Sequence, residues 1–165
     1  MDTFDFIVVG AGSGGCAVAG RLSEDQKSSV ALLDAGGTND GWQVTTPFAL
    51  ALQNKGNNWA FDTVPQKGLD GRIGYQPRGK GLGGSSAINA MVYIRGHRSD
   101  YDHWAALGNT GWSFADVLPY FKRSENNSDF DGDYHGRGGP LPVNRLRTDN
   151  PVQGIFLQAA REAQF

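Results

Sequence analysis

Two glycine-rich segments carry the residues whose types and spacing can do chemistry. The first, Gly10-Ala11-Gly12-Ser13-Gly14-Gly15, has the G-x-G-x-x-G spacing of a dinucleotide-binding turn. In that pattern the first glycine allows a tight turn, the second lets backbone reach a pyrophosphate, and the third lets helix and strand pack closely. Asp34 follows nineteen residues after Gly15, where a carboxylate can accept hydrogen bonds from a ribose diol. The second segment runs from Arg78 to Gly96 and sets glycines at 79, 81, 83 and 84 before Ser85 and Ser86. Such glycine density lets backbone approach a ligand closely. A helix starting at the two serines would aim free N–H groups and a partial positive charge at an anionic or electron-rich group.

The surrounding residues predict elements that place these segments. Phe4 to Val9 is a β-rich apolar run, read as a buried parallel strand. Cys16 to Leu22 continues from the glycines as a helix of small residues, and Ser29 to Asp34 is a second buried strand that closes a βαβ unit. The alternative, a glycine-rich turn with no ligand, is disfavoured because strand, helix and acid all stand in place. The turn alone does not separate FAD from NAD, whereas an acid at position 34 would repel the 2′-phosphate of NADP.

Further along, Ala35 to Asn58 reads as loop with a short helix near Phe48 to Leu52, and Trp59 to Val64 as a strand ended by Pro65. Helices are expected over Ser99 to Leu107 and, behind the Ser113-x-x-Asp116 capping box, to about Ser124, with Pro119 in the second turn. Residues 126 to 150 read as loop, and Asn150-Pro151 opens a last helix with Val152, Ile155, Phe156 and Ala159 at helical spacing. The chain stops at Phe165 with no helix stop signal, which reads as an unfinished domain.

Composition sets outer bounds. At 165 residues the chain is long enough for one domain with a substantial core and short for two. Its 24 glycines are about twice ordinary usage and cluster rather than repeat, as turns and ligand loops do. A net charge of −2 with mixed signs gives no nucleic-acid surface. The single cysteine, Cys16, rules out an internal disulfide framework and points to a reducing compartment. No signal peptide precedes Phe4 and no apolar run is long enough for a membrane span. A cytoplasmic protein is expected, with peripheral membrane contact left open.

Several other patterns fail on inspection. Gly74 to Gly81 approaches a P-loop, but Gly81 stands where a magnesium-holding Ser or Thr belongs. Asp129, Asp131 and Asp133 alternate like a calcium loop, but Tyr134 replaces its glycine and Pro140 its glutamate. Asn126-Asn127-Ser128 is a formal glycosylation sequon, of no consequence in a chain without a signal peptide. His97, His103 and His135 lack metal-ligand spacing, so no metal site is expected and each histidine reads as surface or structural. Cys16 reads as a packing residue, Trp104 and Trp112 as core, and Trp59 as either core or a platform for a flat ring.

With both glycine motifs in view, the chain resembles the glucose–methanol–choline (GMC) family of flavin oxidoreductases, on the side of its choline dehydrogenase-like and aliphatic alcohol dehydrogenase branch. The likeness runs from Asp5 to Cys16, through Asn58-Trp59-Ala60-Phe61 and Pro65-Gln66. It is most specific over Pro77 to Gly96, and continues in Asp100 to Asp102, Gly111 to Ser113, Val117 to Phe121 and Asn150-Pro151. The fold class this implies is α/β, an incomplete Rossmann-like FAD-binding fold: a βαβ start with a loop- and helix-rich extension. Residues 1–165 would then be the amino-terminal part of the FAD-binding domain.

The resemblance also implies FAD. Gly10, Gly12, Ser13 and Gly15 would serve its pyrophosphate, and Asp34, with Ala35 beside it, the adenosine ribose, although the family more often has Glu at position 34. Arg78, Gly79, Gly83 and Ser86 would run along the flavin, with Asn89, Ala90 and Met91 near the isoalloxazine ring. Some members attach their flavin to a histidine just before that asparagine; Ile88 here implies non-covalent FAD. Similar enzymes oxidise an alcohol by passing hydride to flavin N5 while a histidine takes the hydroxyl proton. That histidine lies far beyond the matching region, so no catalytic residue is expected within this chain. The small-molecule alcohol would meet the full-length enzyme; its identity and the electron acceptor stay open. A non-catalytic flavin or nucleotide-binding module is the alternative, and an NAD-dependent dehydrogenase is disfavoured by residues 79 to 89.

Overall fold

The computed structural model describes residues 2–147 and 149–165, and the chain divides into two compact units, Met1–Val92 and Tyr93–Phe165. The first opens with strand β1 (Phe6–Val9), helix α1 (Ser13–Leu22) and strand β2 (Val30–Leu33). The strands pair in parallel with Phe6 opposite Val30 and Val9 opposite Leu33. This is the expected βαβ unit. α1 packs against both strands, and Gly15 makes that possible: an added Cβ there would lie 1.8 Å from the Gly10 carbonyl oxygen.

The strands are less buried than expected. Ile7 is 60% and Val9 82% exposed, and the buried apolar residues among those described are only alanines, Ala11, Ala19 and Ala49. Parallel strands normally have both faces covered; here α1 is what packs on the pair, so large apolar side chains stay open. The expected substantial core is therefore absent among the described residues.

After β2 come a short α2 (Trp42–Thr45) and a 3₁₀ turn (Pro47–Leu52) in place of the expected short helix. The strand expected over residues 59–64 shrinks to β3 (Phe61–Asp62), since Ala60 takes a left-handed φ of 51° that breaks extended backbone. β3 pairs antiparallel with β4 (Tyr75–Gln76). The helix expected at the serines is a four-residue 3₁₀ turn, Gly84–Ala87. The left-handed Gly83 precedes it, and the Ser86 hydroxyl bonds back to the Gly83 carbonyl at 2.6 Å, so no helix dipole develops there.

In the second unit, α3 (Arg98–Ala106) begins at His97, whose Nδ1 accepts the Ser99 N–H. α4 (Phe114–Ser124) has the full capping box between Ser113 and Asp116 and carries Pro119 without ending. Residues 126–150 are not all loop: β5 (Glu125–Asn127) pairs in parallel with β6 (Leu141–Val143). Thr148, within that expected loop, lies outside the described residues. α5 (Pro151–Glu162) starts where expected, with the Asn150 side chain accepting the Val152 N–H at 3.0 Å. Trp104 and Trp112, expected in a core, are half exposed and meet edge to face at 5.9 Å.

Candidate functional site: a cleft shared by two glycine segments

One polar anchor of the first unit is Asp34, just past β2. Its Oδ2 accepts the Ala11 N–H at 2.7 Å and its Oδ1 the Gly36 N–H at 2.9 Å. These two backbone bonds, Ala11 first, hold the carboxyl below its ordinary range against a smaller opposing effect of burial. Asp34 is thus a carboxylate at neutral pH and fixes the turn that carries the first glycine motif.

The second motif closes on the first, backbone to backbone. The Gly83 N–H donates to the Ala11 carbonyl at 2.8 Å and the Leu82 N–H to the Gly37 carbonyl at 2.9 Å, while the Asn39 side chain donates to the Leu82 carbonyl at 2.8 Å. An added Cβ on Gly36 would meet the Gly81 nitrogen at 2.4 Å, and one on Gly84 would meet the Gly12 Cα at 2.8 Å. Some of the glycines expected to admit a ligand therefore serve contact between the two segments.

A third segment completes the wall. Asn58 is buried at 3% exposure. Its Oδ1 accepts the N–H groups of Ala60 and Arg78 at 3.0 and 2.9 Å, and its Nδ2 donates to the Tyr75 hydroxyl at 2.6 Å. That clamp holds Trp59 and Phe61, whose rings stack at 5.9 Å, with the Lys80 ammonium 4.6 Å from the Trp59 ring centre. Between these parts lies a cleft of about 540 Å³ lined by Val9, Gly10, Gly12, Leu33, Asp34, Ala35, Trp59, Phe61, Arg78, Gly79, Gly84 and Ser85. That volume falls in the range of small-molecule sites.

Of the expected site residues, Gly10, Gly12, Asp34, Ala35, Arg78 and Gly79 line this cleft. Ser86, Asn89 and Met91 line a second one of about 220 Å³ with Ala87, Ile88 and residues around α2 and the first 3₁₀ turn. Ser13, Gly15, Gly83 and Ala90 line neither. Ser13 opens α1, Gly15 packs α1 on the strands, Gly83 ties to Ala11, and Ala90 lies exposed beside Asn89. Met91 takes a left-handed φ of 60°, with its N–H bonded to Asn89 Oδ1 at 2.8 Å. Sequence reasoning did not single out Val9, Leu33, Phe61, Gly84 or Ser85 as lining residues, nor Asn58, which ties Ala60, Arg78 and Tyr75 together. The pattern Asn58-Trp59-Ala60-Phe61 is the available signal, and Trp59 stands in the cleft wall.

The cleft suits a dinucleotide on three counts. Gly12, the N-cap of α1, has no side chain to cap the first-turn N–H groups, which suits an anion there. Gly12 lines the cleft, and an added Cβ there has no atom within 4 Å. Asp34, held as a carboxylate, lines the cleft. Cys16, expected to pack, is exposed and donates its thiol to the Ala11 carbonyl at 3.1 Å. Among the described residues no group of three His, Cys, Asp or Glu side chains is placed to hold a metal, and no helix is long and apolar enough to cross a membrane.

Comparison with known proteins finds relatives that cover nearly all of the chain. The family model described as GMC oxidoreductase matches residues 4–165. The oxygen-dependent choline dehydrogenase of Brucella anthropi is 47% identical over 163 residues, covering 98% of this chain and 30% of that protein. The mitochondrial choline dehydrogenase of Homo sapiens is 43% identical over 173 residues, covering 99% and 29%. Among solved structures, pyridoxine 4-oxidase from Mesorbium loti superposes with a TM-score of 0.89 at 37% identity, over 97% of this chain and 32% of that one. The chain spans about 30% of the length of the curated relatives it matches.

Proposed function

Because the chain belongs to the GMC oxidoreductase family, we propose that it is the FAD-holding portion of an oxidoreductase acting on the CH–OH group of an alcohol, choline or a similar small molecule. The observation that carries this reading is the cleft in which the Gly10–Gly12 turn and the Arg78–Ser85 segment share one wall. When bound, FAD supplies the acceptor for a hydride leaving the alcohol carbon.

In this reading Gly10, Gly12, Ser13 and the other first-turn amides of α1 face the pyrophosphate. Gly15 serves by keeping α1 close to β1. Asp34 and Ala35 take the adenosine ribose, and Arg78 and Gly79 run along the flavin. Gly83 holds the second segment in register, and Ser86, Asn89, Ala90 and Met91 border the flavin ring. Ile88 offers no nucleophile, so the cofactor is held non-covalently. The proton-accepting base is not assigned to this chain: His97 caps α3 and His135 bonds to Glu125. A cytoplasmic location is part of the same proposal, supported by the lone unpaired Cys16.

Two measurements on the full-length protein test this. Choline or an aliphatic alcohol should reduce an artificial electron acceptor, while the 165-residue chain alone should give no turnover. Acid precipitation should leave intact FAD in the supernatant. Flavin retained in the pellet would contradict non-covalent binding, and turnover by the short chain would contradict the placement of the base outside it. FAD binding without any alcohol turnover by the full-length protein would favour a non-catalytic module.

A further inference from the structure

The bonding around Asp34 reaches further than a ribose contact. Its two oxygens grip Ala11 and Gly36, and both of those residues also touch the second glycine segment. The Ala11 carbonyl receives the Gly83 N–H at 2.8 Å, and the Gly36 backbone lies against Lys80 and Gly81 so closely that a Cβ would stand 2.4 to 2.6 Å from them. Ala11 is fully buried, so its N–H has no water to replace a lost partner.

We propose that Asp34 is a positioning residue that couples the two glycine segments, holding the Gly10–Gly12 turn and the Gly81–Gly84 stretch in one arrangement before any ligand arrives. The coupling follows from acceptor count. A carboxylate presents an acceptor oxygen to each of two converging N–H donors. An asparagine presents one oxygen and one NH₂, so one backbone donor would face another donor. With the turn released, Gly83 loses the fixed position of its acceptor and the cleft wall loosens on both sides. The consequence for cofactor affinity rests on the FAD reading proposed above; the coupling itself does not.

Amide hydrogen exchange on the full-length apoprotein decides the matter. Asp34→Asn should speed exchange at Ala11 and Gly36 and, through Ala11, at Gly83 by tenfold or more, with the amides of α1 beyond its first turn unchanged. Asp34→Glu, which keeps the charge but lengthens the side chain by a methylene, should fall between wild type and Asp34→Asn at all three amides. It also serves as the readout if Asp34→Asn does not fold. Unchanged exchange at Gly83 in the variant that folds would overturn the coupling. A second arm compares dissociation constants for FAD and for FAD built on 2′-deoxyadenosine. A positioning role predicts that the substitution weakens both, with FAD losing its ribose contact in addition. A loss confined to FAD, with the deoxy analogue unaffected, would overturn it in favour of a ribose contact alone. Failure of wild type to bind either ligand would count against the FAD reading, while the exchange result would still decide the coupling.

Discussion

Gly15→Ala should lower the stability of the protein by about 3 kcal/mol or more and abolish cofactor binding with it. The added methyl would lie 1.8 Å from the Gly10 carbonyl oxygen and 3.0 Å from the Gly10 carbonyl carbon. Both are backbone atoms, so relief requires α1 to move off β1 or the Gly10 turn to unwind. Either movement displaces Ala11, and with it the bonds to Asp34 and Gly83. Few buried apolar contacts stand in reserve, since Ala11, Ala19 and Ala49 are the buried apolar residues among those described. Thermal unfolding of the full-length protein checks the prediction. A midpoint within a degree of wild type would show that the close approach of α1 does not limit stability.

The second large effect is expected in the other unit, at Glu125. Its carboxylate is fully buried and accepts four hydrogen bonds: from Asn127 Nδ2 at 2.8 Å, His135 Nδ1 at 3.0 Å, the Gly136 N–H at 2.9 Å and Arg95 Nη2 at 2.5 Å. Arg95 also donates to the Tyr134 carbonyl and lies 5.1 Å from the Phe121 ring centre. Burial pushes the Glu125 carboxyl up. The hydrogen bonds from Asn127, His135 and Gly136 and the charge of Arg95 outweigh it and bring the group from 4.5 down to about 2. Glu125→Ala would leave the Arg95 guanidinium without its carboxylate, and breaking a buried pair from one side costs about 3–5 kcal/mol.

The pH dependence follows from the direction of that shift. A carboxyl whose folded value lies below its unfolded value contributes its stability above the unfolded value, here above about pH 4.5. The contribution is lost as pH falls toward 2. Urea unfolding at a series of pH values should show this acid-labile component in wild type and not in Glu125→Gln. Equal midpoints for wild type and Glu125→Gln at pH 7 would contradict it.

What the amino-acid sequence made legible was local. The strand and glycine turn that open the chain, the Ser113–Asp116 capping box and the Asn150-Pro151 helix opening each depend on residues within a few positions of one another. The pairing of β5 with β6 was not legible. Glu125-Asn126-Asn127 is polar and has no strand propensity; it is extended because Leu141–Val143 lies beside it and Glu125 is held by distant partners. The 3₁₀ turn at Gly84–Ala87 replaced an expected helix for a similar reason, since Gly83 and Gly84 are fixed by contacts to Ala11 and Gly12.

The site shows the same division. Gly10, Gly12, Asp34, Arg78 and Gly79 could be named from spacing and resemblance, and they line one cleft. That the two motifs bind each other through Gly83 and Ala11 depends on residues more than seventy positions apart in sequence, which no local pattern encodes. The exposed apolar faces of β1, β2 and α5, including Val9 and Phe156, likewise depend on packing rather than on the apolar pattern that identified the elements.

A flavin titration of full-length apoprotein against its Gly12→Ala variant decides whether the cleft between the two glycine segments holds FAD. Gly12 differs from Gly15 in that its added methyl has no atom within 4 Å, so the variant should fold with an unchanged melting profile before cofactor is added. Wild type should bind FAD non-covalently and Gly12→Ala should bind it at least about tenfold more weakly, because the methyl would stand where the pyrophosphate must approach the backbone. Equal affinity in the two proteins, with both folded, would contradict it.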